Sequence, residues 1–264
     1  GTPTPLVDTA GLDIVQLPPV RTRVGDFTTL LDAEGSPIGP GHLERRRAIL
    51  LAAFAASRPD VVVTELYPFG RRVLAAEFEA LLEAADAAEP RPTILCSVRD
   101  ILAAPSRPEK AEATHAAIER RYRAVLVHGD EATVPLESSW PVDHALRRRL
   151  VYTGYIGPGC APPTPAAEND GSVLVSGGSS AAALPLYRAA IETARGDPGR
   201  PWRILVGRAV EEADFAALRQ DAPPHAIVER ARADFASLLA KAAVFVGQAG
   251  YNTIMDIVAT QARS

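Results

Sequence analysis

Short apolar runs rich in β-branched residues recur along this chain, and longer segments with helical periodicity lie between them. Such runs, bounded by Gly, Pro or charged residues, are typical of strands that are buried on both faces of a parallel sheet. The predicted strands are Ile14–Leu17, Val61–Thr64, Thr93–Val98, Ala124–His128, Val173–Ser176, Arg203–Val206 and Val244–Val246. Two intervening segments, Arg72–Ala88 and Phe235–Ala243, carry one apolar face and are predicted helices. Because strands and helices alternate, we predict an α/β fold built from βαβ units.

A stretch rich in Pro, Gly and small polar residues over residues 157–171 predicts a linker. It separates an N-terminal Rossmann-like domain, residues 1–156, from a C-terminal one, residues 172–264. Parallel sheets bind ligands at the C-terminal ends of their strands, so we expect a binding crevice between two such domains. The chain opens on Gly1 rather than Met and stops at Ser264 within an apparent helix, so we expect a fragment that is incomplete at both termini.

Composition and charge exclude several classes of function. The net charge is -4 over 264 residues, which predicts no general attraction to nucleic acid. The longest apolar runs fall far short of the roughly 18 residues that a transmembrane helix needs. The cysteines Cys96 and Cys160 match no metal-site spacing; their scarcity fits a reducing cytoplasm, and Cys96 is predicted in the core. The triplets Arg45–Arg47 and Arg147–Arg149 are interpreted as solvated helix faces, with peripheral contact to an anionic acceptor or a membrane surface as the alternative.

The strongest candidate for a site is the strand, glycine turn and helix of Val244–Ile257. The small residues within 247–250 let the backbone turn sharply and approach a ligand closely. A helix is predicted to begin near Asn252 or Thr253, and its N-terminal N–H groups favour a phosphate. Asp256, about one turn into that helix, is placed to accept hydrogen bonds from sugar hydroxyls. The alternative is an ordinary strand-to-helix turn in which Asn252 is the N-cap.

A second strand, glycine turn and helix occupies Val173–Ala183. It matches neither the dinucleotide fingerprint nor the P-loop fingerprint, so alone it is a weak signal. It begins the same domain whose last strand carries the first loop. Two such loops on one edge of a sheet are predicted to hold one diphosphate from two sides.

Three polar residues stand at strand ends in the first domain and are candidates for acid/base chemistry or acceptor positioning. They are Glu65, Asp100 and His128. Each has a structural alternative. Glu65 is interpreted as an ion-pair partner of Arg71 or Arg72, Asp100 as part of an ion network with the arginine before it, and His128 as a satisfied structural histidine.

Several segments resemble bacterial glycosyltransferases with the GT-B fold. Gln248–Ile257 resembles their nucleotide-binding segment, as found in the N-acetylglucosaminyltransferase that makes the lipid-linked peptidoglycan precursor. The resemblance implies that this segment belongs to a family 28-like C-terminal domain. The segments Glu65–Arg72, Ser97–Leu102, Leu126–Asp130 and Tyr152–Ile156 are similar to a related group of predicted glycosyltransferases. The resemblance covers nearly the whole chain and implies two Rossmann-like domains, the first for the acceptor and the second for a nucleotide-sugar donor.

The resemblance also implies a set of donor-binding residues. These are Ser176, Gly177, Gly178 and Ser179 in the first loop, Gln248, Ala249, Gly250, Asn252 and Thr253 in the second, Asp256 on the ribose hydroxyls, and Arg230 with its neighbours Glu229 and Ala231, whose backbone lies against the base. The chain departs from the family at Ser179 and Ser180, where relatives have further glycines. Relatives also have an N-terminal loop with a His and Arg pair, and Gly41–Arg45 only imitates that loop because no strand precedes it.

These features together predict a cytoplasmic enzyme that transfers a sugar from a donor, expected to be UDP-linked, to a small-molecule, glycan or lipid-linked acceptor. The resemblance implies no metal and no cofactor other than the donor substrate. Because both edges of the family's active site lie outside this sequence, we expect the polypeptide as given to be inactive. The alternatives are a nucleotide-sugar 2-epimerase of the same architecture and a non-catalytic nucleotide-sugar-binding protein.

Overall fold

A computed structural model of the chain describes residues 9–23, 26–157, 169–178 and 181–264. Most of the predicted linker lies outside the described residues, as do Cys160, Ser179 and Ser180. The chain divides into two compact units, Gly1–Ile156 and Gly157–Ser264.

The first unit is built on a four-stranded parallel sheet. The strands β3 (Val61–Glu65), β4 (Thr93–Arg99), β5 (Ala124–His128) and β6 (Leu150–Tyr152) are paired in that order, and a hairpin of β1 (Arg21–Arg23) and β2 (Asp26–Leu31) precedes them. The helices are α1 (Pro40–Ser57), α2 (Ala75–Asp86), α3 (Pro108–Arg121) and α4 (His144–Arg147). A short 3-10 turn, Arg72–Leu74, leads into α2, so the predicted helix over Arg72–Ala88 is confirmed with shorter bounds.

Only one face of this sheet is fully buried. On β3, Val62 is 7% exposed, whereas Val61 and Val63 are 48% and 53% exposed. The strands add in one direction across the sheet, and right-handed crossovers then place α2 and α3 on the same face. The prediction that these strands are buried on both faces is therefore wrong for the first unit, and Cys96 lies in the core of its covered face.

The predicted strand Ile14–Leu17 is not formed. The segment has no regular structure, and Ile14 and Val15 are 59% and 54% exposed. Two prolines follow the apolar run at once, and proline cannot donate to a ladder, which disfavours a strand there. The segment is instead held to α1, because His42 Nε2 lies 3.1 Å from the carbonyl oxygen of Pro19.

Arg46 is buried, so the interpretation of Arg45–Arg47 as a solvated helix face is wrong for its central residue. Arg45 and Arg47 are exposed, but Arg46 is only 5% exposed. Its guanidinium donates to both carboxylate oxygens of Glu77 on α2, at 2.7 Å and 3.0 Å, and also to the carbonyl of Pro18. This bidentate pair joins α1, α2 and the N-terminal segment.

The second unit is a parallel sheet with the strand order β10-β7-β8-β9. The strands are β7 (Val173–Ser176), β8 (Trp202–Val206), β9 (Ala226–Arg230) and β10 (Val244–Gly247), and the helices are α5 (Leu184–Arg195), α6 (Glu212–Asp221), α7 (Phe235–Lys241) and α8 (Tyr251–Thr260). The prediction of an α/β fold with two parallel sheets is thus confirmed. No helix in the described part of the chain is long and apolar enough to cross a bilayer.

Both faces of this second sheet are covered. Residues from α5 and α6 pack on one face around Val175 and Ile204, and residues from α7 and α8 pack on the other around Leu174 and Phe245. The strand order explains the arrangement: β8 and β9 extend to one side of β7, and β10 returns to its other side. The direction of winding therefore reverses between β7 and β10.

Candidate functional site

The two predicted glycine loops lie side by side in the second unit. Gly247 at the end of β10 pairs in register with Ser176 at the end of β7, and the two strands are parallel. Both loops therefore leave the same edge of the sheet, at the point where the winding direction reverses. Open α/β sheets bind ligands in the crevice that such a reversal leaves beyond the carboxyl ends of the strands. Strand order thus makes this edge the candidate site.

The loop after β10 needs glycine at one position and leaves space at another. A Cβ at Gly247 would lie 2.5 Å from the carbonyl oxygen of Ser176 and 2.4 Å from the ring of Phe245, so only glycine lets β10 pair there. At Gly250 the same construction meets no atom of the described residues within 4 Å. Gln248, Ala249 and Gly250 are exposed. The turn is therefore tightly packed against the strand below it and open in front of the helix.

Helix α8 begins at Tyr251, with Gly250 as its N-cap, so the predicted start near Asn252 or Thr253 is wrong by one or two residues, and neither residue is the N-cap. No side chain caps this end of the helix. The N–H groups of Asn252 and Thr253 have no acceptor among the described residues. Unpaired N–H groups at a helix N-terminus, with the helix dipole behind them, favour an anion.

The loop after β7 is held by backbone geometry and by one buried tyrosine. A Cβ at Gly177 would lie 2.1 Å from the Cβ of Ala183, and Gly178 has a φ of 71°, which favours glycine. The phenol oxygen of Tyr187 on α5 accepts from the N–H of Gly177 and from that of Gly207, each at 3.2 Å. Tyr187 thereby joins the loops that follow β7 and β8.

Sequence reasoning did not identify Tyr187, because in the sequence it is indistinguishable from the other residues on the apolar face of α5. It is 0% exposed, so Tyr187→Phe would leave two buried N–H groups without an acceptor. We expect the free energy of unfolding to fall by about 1–3 kcal/mol, the usual cost of a buried unsatisfied group. Urea denaturation checks this; a Tyr187→Phe variant as stable as the wild type would contradict the assignment.

Asp256 is a carboxylate without a partner in the described part of the chain. It lies on α8 one turn beyond Thr253 and is partly buried, yet no cation or hydrogen-bond donor of the described residues contacts its side chain. Burial raises the pKa of Asp256 above its ordinary value, since the charged form loses solvation. An unpaired carboxylate beside an uncapped helix end is placed to accept hydrogen bonds from a polar ligand.

The side chain of Arg230 is used within the protein. It donates to the carbonyl oxygens of Gly207 and Val210 at 3.1 Å and 2.8 Å, and its guanidinium lies 4.0 Å from the ring centre of Phe215. It also pairs with Glu212 at 2.6 Å. Arg230 ends β9, two strands away from β7, so the structure separates it from the two glycine loops.

In the first unit, Glu65 and Asp100 have structural partners. Glu65 forms an ion pair with Arg71, which is one of its two predicted partners. Asp100 Oδ1 accepts from the N–H of Ile101 at 2.9 Å, a local turn contact, and its ion network with the preceding arginine stays a prediction. Glu65 is the last residue of β3 and Asp100 follows the neighbouring strand β4, and neither side chain is buried.

His128 lies in a chain of hydroxyl contacts. Its Nε2 is 2.7 Å from Ser97 Oγ on β4, and its Nδ1 is 2.9 Å from Thr153 Oγ1, just after β6. Burial lowers the pKa of His128, so the ring is neutral at neutral pH. Sequence reasoning found His128 at a strand end but missed Ser97 and Thr153, because contacts between neighbouring strands require the register.

No protein-family model and no curated protein matches the chain. Among solved structures, it is similar to the glycotransferase of kitacinnamycin, with 18% identity and a TM-score of 0.48 over 84% of this chain and 62% of that one. It is also similar to MurG of Acinetobacter baumannii, with 18% identity and a TM-score of 0.42 over 86% of this chain and 58% of that one. A third similar structure is the UDP-N-acetylglucosamine 2-epimerase of Rickettsia bellii, with 10% identity and a TM-score of 0.46 over 79% of this chain and 56% of that one. The chain spans between 56% and 62% of the length of these proteins.

Proposed function

We propose that the second unit binds the diphosphate of a nucleotide-sugar donor, and that the whole protein transfers the sugar to an acceptor. The observation that carries this proposal is the pairing of two glycine loops at the winding reversal between β7 and β10. One of these loops opens into an uncapped helix. A diphosphate bears two adjacent negative groups, which suits two loops of N–H donors that leave one sheet edge together.

In this proposal the main chain stabilises the leaving group. When the bond between the sugar and the diphosphate breaks, negative charge grows on the diphosphate oxygens. The N–H groups of Asn252 and Thr253 have no acceptor among the described residues, and that of Gly178 has a long contact of 3.4 Å to Ser176 Oγ. All three belong to backbone that is already positioned, so they need little reorganisation as that charge develops. No metal is assigned a role, and we propose UDP as the nucleotide because the family resemblance implies it.

Asp256 is proposed to bind the ribose hydroxyls through its carboxylate. Asp256→Asn should weaken UDP binding about 10- to 100-fold, as expected when a hydrogen bond worth about 1.5–3 kcal/mol is lost. Isothermal titration with UDP measures the change. Asp221→Asn, at the end of α6 with the exposed partner Arg195, is the matched control and should leave the affinity unchanged.

The variant Asp256→Asn should also be more stable than the wild type at neutral pH. Because the folded protein raises the pKa of Asp256, its proton stabilises the fold fully below the unfolded pKa, and this stabilisation is lost as pH rises through the folded pKa. Asn carries no such dependence, so the stability gain should appear at neutral pH and vanish in acid. Thermal unfolding of the variant and the wild type at neutral and at acidic pH checks the sign of this stability difference. Unchanged UDP affinity together with lower stability at neutral pH would show that Asp256 is a structural residue.

Product analysis distinguishes transfer from the alternatives. A transferase releases UDP from a UDP-sugar and moves the sugar to an acceptor, whereas an epimerase converts the donor without any acceptor. A binding protein leaves the donor intact. UDP binding combined with donor epimerisation would replace the proposed reaction but keep the proposed site.

A further inference from the structure

We propose that Ser97, His128 and Thr153 form a proton relay that takes the proton from the attacking group of the acceptor. The three side chains lie at the C-terminal edge of the first sheet, on β4, at the end of β5 and just after β6. The inference rests on the proposed transfer reaction, and its evidence comes from the first unit alone.

The hydrogen bonds around Thr153 determine where its proton lies. Its Oγ1 is 3.0 Å from the carbonyl oxygen of Gly154 and 3.3 Å from that of Val127. A carbonyl oxygen only accepts, so the hydroxyl donates to a carbonyl and its oxygen accepts from His128 Nδ1, which is 2.9 Å away. Nδ1 therefore carries the ring proton.

This tautomer leaves the other ring nitrogen as an acceptor. A neutral imidazole has one N–H, so Nε2 accepts the hydroxyl proton of Ser97 across 2.7 Å. In the opposite tautomer the Ser97 hydroxyl would have no acceptor among the described residues, and Thr153 would give up its contact to a carbonyl. The first arrangement satisfies every donor, and the neutral ring at neutral pH agrees with it.

The surroundings of Ser97 leave it accessible to a substrate. Ser97 and His128 are both partly exposed. They lie on the face of the sheet that α2 and α3 do not cover, where Val61 and Val63 are about half exposed. Ligands of parallel sheets bind at this end of the strands. Glu65, which pairs in register with Ser97, is the nearest acidic residue on β3, and Arg99 pairs in register with His128.

The acceptor hydroxyl gives its proton to Ser97 Oγ while the Ser97 proton moves to His128 Nε2, which leaves an imidazolium that Thr153 orients through Nδ1. The acceptor oxygen forms a bond to the anomeric carbon, and the bond from that carbon to the diphosphate oxygen breaks. The diphosphate leaves with the electron pair. Ser97 touches the substrate, His128 holds the proton, and Thr153 is a positioning residue.

Nitrogen NMR of the full chain labelled with ¹⁵N-histidine tests the tautomer. We expect the resonance that disappears in His128→Gln to show a protonated Nδ1 and an unprotonated Nε2. Thr153→Val should abolish that preference, and Thr153→Ser, which keeps the hydroxyl, should restore it. An Nε2–H tautomer in the wild type would overturn the relay.

Release of UDP from UDP-N-acetylglucosamine, UDP-glucose and UDP-galactose tests the chemistry, with water as the surrogate acceptor. The assay uses the whole protein, because we expect the polypeptide as given to be inactive. Ser97→Ala and His128→Gln should lower kcat about 10²-fold, at the lower end for general acid–base catalysis, with the affinity for UDP unchanged. His115→Gln, which removes a histidine of α3 that contacts Asp143, is the control and should keep the wild-type rate.

The outcomes separate the two proposals. Wild-type rates in Ser97→Ala and His128→Gln would overturn the relay, while UDP binding would still support the donor site. If the whole protein, with no substitution, binds UDP but releases it from no UDP-sugar, both the transfer and the relay are contradicted. Failure to bind UDP would overturn the proposed function, and the relay would fall with it even if the tautomer were as expected.

Discussion

Gly250→Leu is expected to abolish UDP binding while leaving the fold intact. No atom of the described residues lies within 4 Å of a Cβ at Gly250, and its φ of -74° and ψ of 149° suit any residue. The added side chain would occupy the space in front of α8 that the proposal assigns to the diphosphate. We expect the Kd for UDP to rise by at least about 10³-fold, or ~4.1 kcal/mol. The Tm should fall by a few degrees at most, because leucine is a poorer N-cap than glycine.

Gly247→Ala provides the contrast, because its Cβ would lie 2.5 Å from the Ser176 carbonyl oxygen. This variant should lose about 1–3 kcal/mol of stability, as overpacked cores do. Titration with UDP and thermal unfolding of both variants separate the two glycines. Wild-type UDP affinity in Gly250→Leu would exclude the diphosphate from the front of α8.

Glu77→Ala is expected to cause the largest loss of stability. Arg46 is 5% exposed and donates to both oxygens of Glu77, so the substitution leaves a buried guanidinium without its counter-charge. Breaking one side of a buried ion pair typically costs about 3–5 kcal/mol. Urea denaturation should show this loss, with separation of the segment before β1 from α1, since Arg46 also binds the Pro18 carbonyl.

The double variant Arg46→Met with Glu77→Leu is the control. Replacing a buried ion pair with apolar residues of similar volume is often neutral or stabilising. We therefore expect the double variant to recover most of the stability lost in Glu77→Ala. A loss below about 1 kcal/mol in the single variant would mean that water reaches Arg46 and that the pair contributes little.

The strands and glycine loops could be predicted because their signals are local. Short β-branched runs bounded by breakers identified every described strand of the two parallel sheets except β6 and β9. The failure at Ile14–Leu17 is also local, since Pro18 and Pro19 directly follow the apolar run. The sequence predicts Gly177 and Gly247 as turn residues. It does not show how tightly they pack, because that depends on which strands and helices lie next to them in the fold.

The remaining features depend on strand order and on contacts between distant residues. One-sided burial of the first sheet follows from the order in which its strands add, which short apolar runs do not reveal. Tyr187 binds the N–H groups of Gly177 and Gly207, which lie 10 and 20 positions away. Ser97, His128 and Thr153 meet through the register of neighbouring strands. The sequence alone therefore identified only His128 as a candidate residue. Arg46 resembled its exposed neighbours because its partner Glu77 lies 31 residues further along the chain.

The most direct test of the proposed donor site is an amide ¹H–¹⁵N spectrum of the chain recorded during titration with UDP. We predict that the largest shifts fall on the N–H groups of Gly177, Gly178, Asn252 and Thr253, and that they saturate with a single Kd. Absence of binding, or shifts confined to strands other than β7 and β10 and the loops that follow them, would contradict the proposal that this sheet edge binds a diphosphate.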